Sequence, residues 1–246
     1  MPLLSVLVYG CATKPRYLEE LQSIDETYKK HCDAHGVPLY IFLEEQAGAE
    51  KPHYIRLLGV PDTYESNVPK TFLGLKWMMD HIPDLQSVLV IGSDSYPNIP
   101  KLLRYLETID TTKPLYIGGH GASVDVYGED TYFHSGGGGF VLTRPLLTQL
   151  YPLLTFIPLN WRSLCMNNVY YKLMGAGDVA TAYYLKHTCT YEIIYTPGVS
   201  FSGCNHHGYP CHIGVQNPQT ILCCHIMKRH DMLEFTSLLE QNNFFL

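Results

Sequence analysis

Apolar residues fall into two rhythms along the first hundred positions. Leu3 to Tyr9, Pro38 to Leu43 and Ser87 to Ile91 are short, nearly unbroken apolar runs, the length and texture of buried strands. Between them, apolar side chains recur at helical spacing. Leu18, Leu21, Ile24 and Tyr28 predict a helix over Pro15 to His31, with Pro15 suited to a first turn and Gly36 beyond the end. Phe72, Leu75, Met78 and Met79 predict a second helix over Lys70 to His81, with Pro83 past its end. Strand–helix–strand order with short links predicts an α/β layered domain.

The second half is less regular. The pattern predicts a short helix over Ile99 to Leu106, strands at Pro114 to Gly118 and Phe140 to Leu142, and a helix over Val179 to Lys186. Tyr195 to Ile221, rich in Gly, Pro, Cys, His and Asn, is expected to form loops with short strands. Without an internal repeat or a low-complexity linker, one domain over residues 1–246 is the simplest account. No membrane span is expected. Pro145 to Trp161 is uncharged, but it holds Pro145, Pro152 and Pro158 and is too short and broken for a bilayer helix. Met1 to Thr13 holds no Lys or Arg ahead of its apolar run, so a first core strand is favoured over a targeting segment.

Composition narrows the function classes. Only 16% of the 246 residues are charged, and the net charge is −6, so a basic nucleic-acid footprint is not expected. The 12% of aromatic residues is dominated by 19 tyrosines, whose apolar rings and polar tips suit a cleft for polar ligands. The 8 cysteines are expected as reduced thiols in a cytosolic or otherwise unanchored protein. A Golgi or ER-lumen location is the alternative, and would permit disulfides.

Four places carry candidate chemistry. Gly92-Ser93-Asp94-Ser95-Tyr96 follows the apolar strand at 87–91, and in open α/β sheets ligands bind beyond the carboxyl ends of central strands. Asp94 either holds a divalent cation there or caps a turn. Ser135 runs into four glycines, Gly136 to Gly139, and then into a strand. Such a run allows close backbone approach to a ligand, and no Lys-Ser/Thr follows to make it a P-loop. Asp178, at a helix start, is a helix cap or a general base, and local sequence favours the cap. Finally Cys204, His206, His207, Cys211, His212, Cys223, Cys224 and His225 crowd together, which raises a zinc site, although the repeated CxxC pair of common zinc modules is missing.

These pieces together resemble the β-1,3-glycosyltransferases of the galactosyltransferase and Fringe group. Asp62-Thr63-Tyr64-Glu65-Ser66-Asn67-Val68-Pro69-Lys70-Thr71 is similar to that family's Asp-x-Tyr-x-Asn-Leu-Thr-x-Lys-Thr pattern before a helix. Ile24 to Tyr28 resembles its Ile-Arg-x-Thr-Trp helix, and Gly92 to Tyr96 its Asp-Asp-Asp-x-Tyr. Tyr132 to Thr143 resembles its glycine motif, Gly177-Asp178-Val179 its Glu-Asp-Val, and Cys224-His225 its late metal-binding histidine. The pieces occur in the family's order, over roughly residues 5 to 230.

The resemblance implies a GT-A-type fold, a mostly parallel Rossmann-like sheet flanked by helices with an irregular C-terminal region on the acceptor side. The nucleotide-sugar half would be residues 1–110 and the acceptor half 111–246. It implies a UDP-sugar donor, a Mn²⁺ or Mg²⁺ ion, a glycan or glycoprotein acceptor, inversion at the anomeric carbon and a β-1,3 link. Asp94 and His225 would then be metal ligands and Asp178 the base. Thr13, Asp62, Tyr64, Lys70 and Ser93 would contact the donor, with Gly137 and Gly138 leaving room for the sugar. The chain departs from the family where Gly92 and Ser93 replace two acids and Gly177 replaces another. A module that binds nucleotide-sugar or glycan without turnover is therefore the competing reading, with the zinc protein a third.

Overall fold

The computed structural model describes residues 3–46, 50–119, 121–166, 169–196, 221–225 and 229–243. Its centre is a seven-stranded sheet. In chain order the strands and helices that build it are β1 (Ser5–Tyr9), α1 (Pro15–Glu26), α2 (Tyr28–Ala34), β2 (Leu39–Glu44), β3 (Tyr54–Leu57), α3 (Asn67–His81), β4 (Ser87–Gly92), β5 (Ser95–Pro97), α4 (Ile99–Glu107) and β6 (Leu115–Gly118). There follow β7 (Gly121–Val126), β8 (Glu129–His134), β9 (Phe140–Thr143), α5 (Arg144–Leu150), α6 (Ile157–Met166), α7 (Gly177–Thr188), β10 (Glu192–Tyr195), β11 (Cys223–His225) and α8 (Arg229–Gln241). The sheet order is β10-β6-β9-β4-β1-β2-β3. Every neighbouring pair is parallel except those made by β9, which runs antiparallel to both β4 and β6.

The unbroken apolar strands are buried on both faces, as their composition requires. Along β1, Val6 and Val8 point into one core with Leu21 and Ile24 of α1, Leu102 of α4 and Phe235 of α8. Leu7 points the other way, toward Phe72 and Leu75 of α3, Leu146 of α5, Trp161 of α6 and Val179 of α7. Strand β4 alternates likewise, with Leu89 and Ile91 in the first core and Val88 and Val90 in the second. Each such fully buried side chain contributes about 1.5–3 kcal/mol. The expected GT-A-type layering, a mostly parallel sheet between helices, is the layering found.

Two departures from the sequence pattern have local causes. The helix expected over Pro15 to His31 is two helices, broken at Thr27 (φ −117°, ψ −108°), whose hydroxyl bonds back to the Ser23 carbonyl at 2.5 Å. Back-bonding of this kind competes with the helical ladder. The hairpin β7–β8 carries no Asn-Gly or Asp-Gly signal. Its two-residue turn is Tyr127-Gly128, both at positive φ (57° and 77°), the signature of the primed turns that match strand twist. Gly128 is suited to that conformation, and the Asp125 carboxylate secures it by accepting from the Gly128 amide at 3.1 Å. No helix among the described residues is long and apolar enough to cross a membrane.

Candidate functional site

A cavity of about 210 Å³ opens beyond the carboxyl ends of β1 and β4, lined by Tyr9, Gly10, Cys11, Lys14, Tyr17, Glu20, Asp62, Thr63, Tyr64, Asn67, Lys70, Gly92, Ser93 and Asp94. Parallel neighbours end there side by side, with Tyr9 of β1 in register with Gly92 of β4. This is the edge at which open α/β sheets bind ligands.

Asp94 leaves β4 at the turn into β5. It does not cap the following helix, because Asn98 does so, accepting from the Lys101 amide at 3.3 Å. Instead Asp94 Oδ2 meets His225 Nε2 at 2.7 Å. The pairing of β11 with β5 makes this contact across 131 positions of chain. Antiparallel register sets Cys224 against Tyr96 and His225 against Ser95, one residue from Asp94. Gly92 has a steric reason. A Cβ at that position would lie 2.8 Å from Asp94 Oδ1.

Asp178, on the first turn of α7, lies beside Tyr9 of the cavity lining, under the glycine turn. Ala176 occupies the N-cap position, so Asp178 is not the cap that its local sequence favours. Its Oδ2 accepts from the Gly136 amide at 2.8 Å and its Oδ1 from its neighbour Val179 at 2.9 Å. Burial pushes its carboxyl above the usual carboxylate range, and the two amides only partly offset that. The Tyr9 ring stands between the two aspartates. A Cβ on Gly136 would fall 2.9 Å from its hydroxyl and 3.4 Å from Asp178 Oδ2, and one on Gly92 3.4 Å from its ring. Burial, then Asp178 and Asp94, hold the Tyr9 phenol well above its ordinary value, so it is a neutral hydroxyl at the centre of the site.

The glycine run forms the roof. The Gly139 amide donates to the Gly136 carbonyl at 3.2 Å, closing a turn, and Gly139 takes φ +79° where a Cβ would strike Ile91 at 2.5 Å. Ser95 donates to the Gly137 carbonyl at 3.0 Å, tying the turn to β5. Gly137 itself lies flat against the His225 ring, where a Cβ would approach Nδ1 to 2.8 Å.

The spacing of Asp94 and His225 suits neighbouring positions on a divalent ion. Neighbouring donors at about 2.1 Å on an octahedral ion stand about 3.0 Å apart. The observed 2.7 Å therefore needs only a few tenths of an ångström of opening. Carboxylate plus imidazole is an acceptable donor pair for such an ion.

No family model matches the chain, and no curated protein matches it in sequence. A crystal structure of a glycosyltransferase involved in glycosylation of the major capsid of PBCV-1 superposes with a TM-score of 0.52. The match covers 95% of this chain and 99% of that one, at 15% identity. The two chains share a fold. The catalytic domain of Drosophila β1,4-galactosyltransferase 7, in complex with xylobiose, matches at a TM-score of 0.34 and 17% identity over 60% of this chain and 51% of that one.

Of the residues expected for donor binding, Asp62, Tyr64, Lys70 and Ser93 line the cavity. Thr13 lies at an adjoining hollow of about 250 Å³ that shares Asp62. Tyr64 is two-thirds exposed, and Gly175 makes room for it, since a Cβ there would fall 2.4 Å from its ring. Lys70 is buried in the floor, where Nζ donates to the Gly10 carbonyl at 2.5 Å and to Glu44 Oε2 at 3.1 Å. Gly138 is buried in the roof turn. Of the Cys/His crowd, Cys204, His206, His207, Cys211 and His212 lie outside the described residues. Cys223 and Cys224 are core thiols of β11.

Sequence reasoning missed Tyr9, Glu20 and Glu44. Glu44 gave no motif, but it ends an apolar strand at the ligand edge. Glu20 sits second in a Glu-Glu pair on an outwardly ordinary helix, and only packing reveals it.

Proposed function

We propose that this protein is a UDP-sugar-dependent glycosyltransferase that moves a hexose or N-acetylhexosamine to a glycan or glycoprotein hydroxyl with inversion, forming a β-1,3 link. The carrying observation is the contact of Asp94 with His225 at a strand-end cavity, with Asp178 near by under the glycine turn, beside Tyr9. The shared fold with a glycosyltransferase agrees with it.

Asp94 and His225 would hold a Mn²⁺ or Mg²⁺ ion, which neutralises a diphosphate when bound. Lys14, at the cavity mouth, adds a positive charge for the same group. Asp178 takes the proton of the acceptor hydroxyl as its oxygen bonds the anomeric carbon. The bond from that carbon to the β-phosphate oxygen breaks, and its electron pair leaves with UDP. Burial suits Asp178 to this role, because a carboxylate with a raised pKa is a stronger base. A larger concavity of about 590 Å³ shares Thr63 with the cavity and is bordered by Leu159, Arg162 and Tyr171, which offers an acceptor a place to lie.

The test is a donor screen with UDP-glucose, UDP-galactose, UDP-N-acetylglucosamine and UDP-N-acetylgalactosamine, with and without Mn²⁺, reading thermal shift and UDP release together. Cation-dependent UDP release with one donor is the expected result. Binding without release or transfer over a broad acceptor panel would replace the enzyme with a nucleotide-sugar-binding module.

A further inference from the structure

The turn after β4 offers the cation site only one carboxylate. Gly92 cannot take a side chain without displacing Asp94, because its Cβ would lie 2.8 Å from Oδ1. Ser93 is neutral. One aspartate and one histidine carry little negative charge for a divalent ion.

A second carboxylate reaches the same cavity from a different element. Glu20, on the inner face of α1, is 2% exposed, yet it lines the cavity together with Ser93 and Asp94. Its Oε2 accepts the Ser93 hydroxyl at 2.6 Å. Its Oε1 is buried without any hydrogen bond. The nearest cation is Arg16, whose Nε stands 3.4 Å from Oε1 on a side chain 63% exposed. Such an ion pair is a weak partner for a buried oxygen. A buried carboxylate oxygen whose one cation is an exposed guanidinium costs stability, so its retention calls for a use.

Direct ligation does not fit. Among the described residues, the three acid, thiol or imidazole side chains that bring ligand atoms within 4.8 Å of one another are Cys11, Glu44 and Asp62. Glu20 is not in such a set with Asp94 and His225. Glu44 is already bonded by Lys70 and by the Ala12 amide. Hydrated divalent ions keep several waters, and carboxylates beyond the ligands commonly orient and stabilise such a site without touching the ion.

We propose that Glu20 is the outer carboxylate of the cation site, oriented by Ser93 and contributing its negative charge from behind Asp94. It would supply from α1 the charge that Gly92 and Ser93 leave out. This rests on the glycosyltransferase reading of the same cavity.

The experiment uses the full chain and two variants, Glu20→Gln and Ser93→Ala. Mn²⁺ is titrated in the presence of UDP, free Mn²⁺ is read by electron paramagnetic resonance, and thermal unfolding is followed without metal. Glu20→Gln keeps an oxygen for Ser93 and removes the charge. It should weaken Mn²⁺ binding about 10- to 100-fold. Its metal-free Tm should hold or rise, since a buried carboxylate charge with no buried cation beside it is gone. Ser93→Ala should give a smaller loss, under about 10-fold, because the charge stays and only its orientation is released. If Glu20→Gln binds Mn²⁺ within twofold of the wild type, the proposal is overturned. A fall in metal-free Tm, with Ser93→Ala binding like wild type, would mark Glu20 as a packing residue and also overturn it. A wild type that binds no Mn²⁺ with UDP would overturn both this proposal and the metal-dependent reading of the cavity.

Discussion

The floor and the rim of the cavity both bury carboxylates, but they treat them in opposite ways. In the floor, Glu44 accepts from the Ala12 amide at 2.7 Å and from Lys70 at 3.1 Å, and Lys70 also reaches the Gly10 carbonyl. Both side chains are 2% exposed or less, and the cation and anion stand in contact. At the rim, Asp178 has only amides and Glu20 only a hydroxyl and an exposed arginine. Burial accordingly pushes both rim carboxyls upward. The floor is a completed structural pair that shapes the ends of β1 and β2. The rim carboxylates have no buried cation beside them, and carboxyls perturbed in this way recur at functional sites.

Asp178 gives the largest break in that comparison. Asp178→Asn should lower transfer about 10³- to 10⁴-fold, roughly 4–5.5 kcal/mol, while UDP binding persists. Full transfer in the variant would end its assignment as base. The pH dependence sharpens the point. The folded carboxyl holds its proton to higher pH than the unfolded one. Between those two values the native state binds more protons, so its stability falls as pH rises. Transfer needs the deprotonated form and rises across the same window. Activity and stability should therefore run in opposite directions with pH, starting just above the ordinary aspartate value, and Asp178→Asn should remove this site's share of both slopes.

Lys70 breaks the floor instead. Lys70→Met leaves Glu44 buried beside no cation, and should cost about 3–4 kcal/mol in denaturant unfolding. Adding Glu44→Gln should recover much of that. If Lys70→Met unfolds like the wild type but loses UDP affinity, the lysine belongs to the donor site, as its motif alone had suggested.

The contrast also marks what was legible in the sequence. The strands and helices around the ligand edge were visible because their signals are local: apolar runs, helical spacing, a proline or glycine at an end. Asp94, Asp178, the glycine turn and His225 were found because each sits on a short motif beside such an element. Glu20 was not, since a glutamate on a surface-length helix carries no mark of the face it will bury. Lys70 stood in a recognisable motif, but its partner Glu44 lies 26 positions away, and only the adjacency of strand end and helix start reveals the pair. The β7–β8 hairpin escaped because Tyr127 occupies a left-handed position usually given to Asn, Asp or Gly.

A smaller effect separates the two sides of the rim. Asp94→Ala and His225→Ala should each weaken Mn²⁺-dependent UDP binding by about 10- to 100-fold, read by calorimetry. UDP binding without metal should change little. Equal losses with and without Mn²⁺ would mean that the pair contacts the nucleotide rather than an ion.

Gly137→Ala asks the least of the protein. Gly137 needs no positive φ, so alanine is not strained by its backbone. What it meets is the His225 ring, 2.8 Å from Nδ1, 3.0 Å from Cγ and 3.2 Å from Cε1. The turn cannot simply retreat, because Ser95 holds the Gly137 carbonyl and the Gly139 amide closes the loop onto Gly136. The ring must yield by a few tenths of an ångström, which moves Nε2 relative to Asp94. Crowding of this size costs about 1 kcal/mol. It should appear as a loss of Mn²⁺-dependent UDP affinity of about threefold to fivefold, near that energy, with metal-free Tm almost unchanged. A drop in Tm with cation affinity intact would place the tension in the roof turn and leave the histidine where it was.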